Sequence, residues 1–126
     1  MIVSPQIDFR DIGCYLEDRA RRLGGSAPLF YSDLATHFGL PPVTDAWFTH
    51  QLCGIFEQLD QEDERLSRPF RTALVISKER SMPGEGFFKT VVRLRGLARP
   101  PRTENDKLKL YVDELNSLLR YYGHAI

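Results

Sequence analysis

Apolar residues recur every three or four positions near the start of the chain, and this spacing predicts the first helix. The segment runs from about Asp8 to Leu23, with charged side chains on the opposite face. Its apolar face is formed by Phe9, Ile12, Leu16, Ala20 and Leu23. Gly24 and Gly25 follow at once, and glycine readily adopts the left-handed conformation that ends a helix. We therefore expect one helix here.

A helix-turn-helix pattern follows at residues 31–60. Residues 31–39 predict a short helix, with Ser32 as its N-cap and Gly39 as its C-terminal stop. The two consecutive prolines that come next prevent this helix from continuing. Paired helices joined by such a turn occur in DNA-binding modules and also in units that serve only for packing.

The second helix of the pair is predicted over residues 44–59, with Thr44 as its N-cap. Its apolar positions recur every three or four residues, so one broad face is buried. An acidic run at residues 60–64 comes next, and negative charge is unfavourable at a helix C-terminus. We therefore expect the helix to end near Leu59 or Asp60 and the acidic run to be solvated.

Four residues of this helix are candidates for contact with a partner. Thr49 and His50 lie on its expected exposed face, where such side chains reach base edges, although a solvated face is the simpler interpretation. Trp47 and Phe48 are adjacent, so they cannot both face one core direction fully, and one of them can serve as an exposed anchor.

The clearest strand candidate is the β-branched, apolar segment at residues 72–76, within a strand and wing region spanning residues 70–95. The Pro-Gly-Glu-Gly sequence at residues 83–86 predicts a turn that needs positive φ. Periodicity does not separate strand from helix over residues 87–94. A strand after a helix-turn-helix is in the right place for a wing.

The last element is the best-defined helix of the chain. Residues 103–122 have leucines and tyrosines at a spacing of three and four. Thr103 and Asp106 resemble a capping box, with Asp in place of the usual Glu or Gln. Gly123 closes the segment. The sequence therefore predicts a C-terminal amphipathic helix.

The order of these motifs resembles the DNA-binding domain of the O6-alkylguanine-DNA alkyltransferases and the alkyltransferase-like proteins. The residues that carry the resemblance are Tyr31-Ser32-Asp33-Leu34-Ala35, the helix from Thr44, the strand ending Val75-Ile76, and Gly84-Glu85-Gly86-Phe87. The resemblance implies a winged helix and DNA binding. It gives Tyr31 the role of a tyrosine that helps to rotate a target phosphate, whereas the alternative for Tyr31 is packing against Phe30 and Phe38.

The chain also departs from this family. Thr72 stands where the resemblance places the nucleophilic cysteine, and a threonine hydroxyl cannot replace a thiolate without a strong base. Residues 44–59 contain no Arg or Lys, whereas the family's recognition helix carries an arginine that enters the base stack. We therefore expect no alkyl transfer, and base flipping is in doubt.

Charge changes this picture in one respect. The chain has 126 residues with 17 basic and 17 acidic side chains, so its net charge is zero, which argues against a purely electrostatic nucleic-acid binder. The basic stretch at residues 89–102, however, has no acidic residue within it. The candidate phosphate contacts are Lys78, Arg80, Lys89, Arg93 and Arg95.

Other chemistry finds little support in the sequence. Cys14 and Cys53 lie in helical apolar patterns and are interpreted as reduced core residues. No histidine pair has the spacing of metal ligands, and no P-loop, nucleophile motif, secretory signal or membrane-length apolar run is present. We expect no metal, no cofactor, no membrane contact, no catalysis and a cytoplasmic location.

Together the patterns predict a single α+β domain over residues 1–126. Its core is a winged helix-turn-helix, extended by an N-terminal helix and by the C-terminal amphipathic helix. The leading hypothesis is a non-catalytic protein that contacts duplex DNA through helix 44–59 and the basic stretch 89–102. The alternative is a protein-interaction module, an accessory or inhibitor protein that docks on a larger complex through Trp47 and Phe48.

Overall fold

A computed structural model describes residues 7–43 and 50–123 and shows an α+β fold for them. The helices are α1 (Phe9–Leu23), α2 (Tyr31–His37), α3 (Gln51–Arg65), α4 (Glu85–Arg95) and α5 (Glu104–Tyr121). Two short strands, β1 (Leu29–Phe30) and β2 (Val75–Ile76), accompany them, with 3₁₀ turns at Gly24–Ser26 and Arg71–Leu74. None of the described helices combines the length and apolar character needed to cross a membrane.

The two terminal helices confirm the predictions made from local patterns. Helix α1 begins after Asp8, whose side chain accepts a hydrogen bond from the Arg10 amide. Helix α5 begins after Thr103, and the predicted capping box with Asp106 is present in both directions. These ends depend on residues within one turn of each other, so sequence alone locates them.

Helix α2 has the predicted extent but not the predicted cap. Its N-cap is Phe30, because β1 leads directly into the helix, and Ser32 lies exposed inside the first turn. The predicted stop is confirmed, since Gly39 has a φ of 67° just after the helix. Residues 44–49 lie outside the described residues, and the predicted start of the next helix at Thr44 lies there too.

The expected end of α3 near residue 59 is wrong, because the helix continues to Arg65. The acidic run is not solvated as a whole. Asp60 and Asp63 are both buried, with side chains that pair with Thr72 and Arg71. These partners offset the cost of placing carboxyl groups near a helix C-terminus.

The predicted wing at residues 70–95 is corrected by the structure. The predicted strand at residues 72–76 is a 3₁₀ turn followed by only two strand residues. These pair in parallel with β1, Leu29 opposite Val75, so the described sheet is not a hairpin. The described chain then forms a helix, α4, where a wing was expected.

Helix α4 resolves the ambiguity over residues 87–94. Phe87, Phe88 and Val91 share one buried face, and Gly96 ends the helix with a φ of 61°. The positive φ predicted for the Pro-Gly-Glu-Gly sequence is absent, because Gly84 has a φ of −72° and is the N-cap of α4. The Gly84 amide donates to the hydroxyl oxygen of Tyr31.

A buried arginine connects the elements around the 3₁₀ turn. Arg71 is 3% exposed, and its backbone and Nε donate to the Asp63 carboxylate, with a distance of 3.0 Å from each to the nearer oxygen. Its Nη1 and Nη2 donate to Glu17 of α1 and Glu62 of α3. A Cβ at Gly13 would clash with Arg71 Nη1, so a side chain there would displace the guanidinium. This network holds the turn that carries Thr72.

Candidate functional site: a cleft beside the parallel strands

A cleft of about 620 Å³ opens beside the C-terminal ends of β1 and β2. Because the strands are parallel and Phe30 lies opposite Ile76, the residues that follow them, Tyr31 and Ser77, emerge at the same edge. Both line the cleft, together with side chains from α3 and α4. Its aromatic walls are Tyr31, Phe56 and Phe87. Cavities of this size hold small organic groups.

Asp60 is the buried polar group of this cleft. It is 4% exposed, and its Oδ1 accepts a hydrogen bond of 2.6 Å from Thr72 Oγ1. Burial raises the pKa of Asp60 to about 8; the Thr72 hydrogen bond opposes this shift, and the nearby Asp63 and Glu57 carboxyls add to it. At neutral pH the carboxyl group is therefore mainly uncharged.

The second carboxyl oxygen of Asp60, Oδ2, has no hydrogen-bond partner among the described residues. Within the same part of the chain, every fully enclosed side-chain nitrogen or oxygen has a partner. Oδ2 is therefore not fully enclosed, and since Asp60 lines the cleft, this atom reaches the cavity.

Tyr31 connects the two sides of the cleft. Its hydroxyl oxygen accepts a hydrogen bond of 3.0 Å from the backbone amide of Gly84 at the start of α4. Its ring centroid lies 6.0 Å from that of Phe56. Burial raises the pKa of Tyr31 above its ordinary value. The hydrogen bond from Gly84 opposes this shift, and the nearby Asp60 adds to it. The phenol is therefore uncharged at neutral pH.

The carboxylates on the rim are already neutralised by ion pairs. Glu57 accepts a hydrogen bond from Arg93, and Glu85 accepts from Lys107 at 2.7 Å and from Arg80 at 3.2 Å. The Lys107 bond, followed by the Arg80 bond, holds the pKa of Glu85 below its usual value. These two carboxylates add little net negative charge to the rim.

One lysine lines this rim, and a second lysine is next in the chain to a residue that lines it. Lys89 is exposed and lines the cleft, and Lys78 is the neighbour of Ser77, with its ammonium 5.4 Å from the Phe30 ring centroid. Neither lysine forms an ion pair with a carboxylate in the described part of the chain. With Asp60 uncharged, the mouth of the cleft is therefore positive.

The other predicted phosphate contacts are held within the protein. Arg95 donates to both oxygens of Glu114 at 2.6 Å, and its guanidinium lies 4.3 Å from the Phe70 ring centroid. Arg80 and Arg93 form the ion pairs of the rim. The structure thus separates the five predicted cations into two lysines without an ion pair among the described residues and three arginines that already contact carboxylates.

The structure describes only one of the four predicted contact residues of the second helix. His50 is the N-cap of α3 rather than a residue of its exposed face: Nδ1 accepts from the Leu52 amide at 3.1 Å, and Nε2 lies 2.7 Å from the Pro41 carbonyl, to which it donates. Trp47, Phe48 and Thr49 lie outside the described residues.

The cysteine prediction is also corrected. Cys14 is exposed and Cys53 is half-buried, so the structure does not place both in the core. Cys14 lies two residues from Ile12, about 200° around α1, which directs it away from the buried face. Cys53 lines the cleft, where burial and the nearby Glu57 carboxylate raise its thiol pKa. Among the described residues no three His, Cys, Asp or Glu side chains form a metal-binding group.

A second groove, of about 670 Å³, lies between α4 and α5. Four of its charged lining residues form two ion pairs, Arg95 with Glu114 and Lys109 with Asp113. The cleft beside the strands differs because a buried polar atom, Asp60 Oδ2, reaches it. It is therefore the stronger candidate for a ligand site.

The sequence pattern did not identify Asp60 as a site residue, although one signal was present. Leu52, Phe56 and Asp60 follow one another at a spacing of four, so the buried face of the helix extends into the acidic run. A carboxyl group on a buried helix face needs a hydrogen-bond partner, so this spacing indicates a polar contact inside the protein. No protein-family model matches the chain, and neither a curated protein nor a solved structure shows significant similarity to it.

Proposed function

We propose that this protein is a non-catalytic DNA-binding protein that holds one base in the cleft beside the parallel strands. The observation that carries the proposal is the combination in one cavity of aromatic walls, an uncharged buried carboxyl group and a positive rim. Bases stack on aromatic side chains, and lysines contact phosphates without regard to sequence.

The resemblance to the alkyltransferase-like proteins supports the same site. It assigns the phosphate-rotating tyrosine to Tyr31 and the nucleophile position to Thr72, and both residues line this cleft. These two positions are 41 residues apart in the chain (72 − 31), so their meeting does not follow from the sequence pattern itself.

The surroundings of Thr72 support a non-catalytic role for this residue. An alcohol becomes a useful nucleophile only when a base removes its proton. The Thr72 hydroxyl donates to Asp60, and a carboxyl group with a pKa of about 8 is mainly protonated at neutral pH. It is therefore a poor acceptor for that proton, and we assign Thr72 a positioning role.

The route to the phosphates differs from the one that the basic stretch suggests. Arg93 and Arg95 are engaged by Glu57 and Glu114, so a phosphate would have to compete with a carboxylate for each. Lys78 and Lys89 have no such competitor among the described residues; Lys89 lines the cavity, and Lys78 follows Ser77, which also lines it. We therefore assign the phosphate contacts to these two lysines.

The test is binding to a duplex that carries 2-aminopurine at a mismatch, which lowers the cost of extruding the base. Anisotropy measures binding, and the fluorescence of 2-aminopurine reports its unstacking. Lys78→Glu combined with Lys89→Glu should weaken binding and flatten the salt dependence by about one unit for each phosphate that the protein no longer neutralises.

Arg65→Glu is the control, since it makes the charge change of one of these two substitutions at an exposed residue of α3 that does not line the cleft. It should leave the affinity nearly unchanged at physiological salt. If the wild-type protein binds no duplex even at low ionic strength, DNA is excluded, and docking of a protein partner through Trp47 and Phe48 becomes the better hypothesis.

A further inference from the structure

We infer that Asp60 determines which groups the cleft accepts, by donating a hydrogen bond from Oδ2 to an acceptor atom on the edge of the bound base. The inference rests on the proposed function and names the chemistry of the same site. This hydrogen bond selects bases that present a carbonyl oxygen or an unprotonated ring nitrogen to Oδ2, and it disfavours bases that present an amino group there.

The geometry gives the two oxygens of Asp60 different roles. Oδ1 accepts the Thr72 hydroxyl proton at 2.6 Å, which orients the carboxyl group. Oδ2 has no described partner, although Asp60 is only 4% exposed and lines the cleft. Because Oδ2 reaches a cavity with aromatic walls, a ligand atom there can complete the hydrogen bond in surroundings where such a bond is stronger than in water.

Burial is the main reason why Asp60 stays neutral, and the Asp63 and Glu57 carboxyls add to it, whereas Arg71 opposes it. Arg71 and Arg95 lie near enough to act on Asp60, but each is already bonded to another carboxylate. Lys89 also lines the cleft, and it forms no described ion pair with Asp60. The titratable and charged groups that face Asp60 from α2, α3, the 3₁₀ turn and α4 are Tyr31, Glu57, Asp63, Arg71 and Arg95.

A neutral carboxylic acid has one O–H donor, whereas a carboxylate only accepts. A carboxyl group that its site keeps protonated at neutral pH can therefore act as a hydrogen-bond donor. Here the donor is available below about pH 8 and is removed by ionisation above it. Binding of an acceptor edge should follow the same pH dependence.

The experiment measures the dissociation constant of the 2-aminopurine duplex from pH 6 to 9.5. The wild-type affinity should be constant at the acidic end and then fall above about pH 8, by at most tenfold for each further unit. Asp60→Leu should bind about tenfold more weakly at pH 6.5, the effect of removing one hydrogen bond.

Asp60→Asn is the decisive variant, because its amide retains the acceptor for Thr72 and places a permanent N–H donor at the position of Oδ2. It should recover most of the affinity that Asp60→Leu lacks and abolish the fall above pH 8. Thermal unfolding of both variants establishes that each is folded at every pH used.

Each outcome is decisive. Wild-type binding that does not depend on pH, or an Asp60→Asn variant with the same fall above pH 8, overturns the assignment of Asp60 while the proposed function stands. Affinity that rises with pH assigns Asp60 the opposite role, as an ionised acceptor for an amino group. Failure of the wild-type protein to bind DNA under all conditions overturns both proposals.

Discussion

At the scale of single residues, the most informative feature is an acidic side chain that the fold keeps uncharged. An unfolded chain ionises Asp60 near its ordinary pKa of 3.8, whereas the folded protein retains the proton up to about pH 8. Between these values the native state binds one more proton than the unfolded state, so its stability falls as the pH rises. Each pH unit within this range lowers the free energy of unfolding by about 1.4 kcal/mol.

Asp60→Asn should therefore stabilise the protein, and the gain should grow between pH 4 and pH 8. The amide keeps the acceptor for Thr72 and does not ionise, so its burial carries no cost that grows with pH. We expect a gain of about 2 kcal/mol or more at pH 8 and little gain at pH 4. Urea unfolding of both proteins at several pH values measures this difference. A gain that is the same at both ends of the range would mean that Asp60 ionises normally.

At the scale of elements, some helix ends are capped by residues within the same turn, and others are capped by residues far away in the chain. The start of α5 is local, since Thr103 and Asp106 cap each other across three residues. The start of α4 is non-local, because Gly84 has no capping side chain of its own and its amide donates to Tyr31, 53 residues earlier. The first kind can be predicted from the sequence, and the second cannot.

Thr103→Ala should cost about 1 kcal/mol, since it leaves the Asp106 amide without its side-chain acceptor. Ser117→Ala is the control, because Ser117 is exposed within the same helix and replacing it with Ala should be neutral or slightly stabilising. Chemical denaturation of the two variants provides the comparison. Equal stabilities for Thr103→Ala and the wild-type protein would show that the cap contributes nothing in solution.

At the scale of the whole molecule, buried charges hold the elements together. Arg71 links the 3₁₀ turn to α1 and α3, and Glu114 of α5 accepts bonds from the Phe70 amide and from Arg95 of α4. All of these contacts surround the turn that precedes β2. Removing one partner of such a set leaves the other charges buried without compensation.

Arg71→Met should lower the free energy of unfolding by about 3–5 kcal/mol, since Asp63 is fully buried and loses its main partner. Arg65→Met, at an exposed position of α3, is the matched control and should change stability by less than about 0.5 kcal/mol. Guanidinium unfolding measures both. A decrease below about 1 kcal/mol for Arg71→Met would show that the surrounding acids rearrange or become protonated at little cost.

The sequence by itself determined the elements whose signals are local. Helices α1 and α5 follow from a three-to-four spacing of apolar residues and from caps within one turn, and Gly39 ends α2 through its own backbone preference. The α+β class was predicted correctly on the same basis. No contact with a distant residue was needed for any of these predictions.

Only the tertiary structure decided the rest. Asp60 and Asp63 are buried because Thr72 and Arg71 lie against them, and β2 pairs in parallel with β1 rather than with a following hairpin strand. Neither the partner of a buried carboxyl group nor the neighbour of a two-residue strand is encoded in local periodicity. The cleft depends on both, since it forms where the parallel strands end and where α3 directs Asp60 inward. Its residues acquire their chemistry from burial and proximity, which exist only in the folded chain.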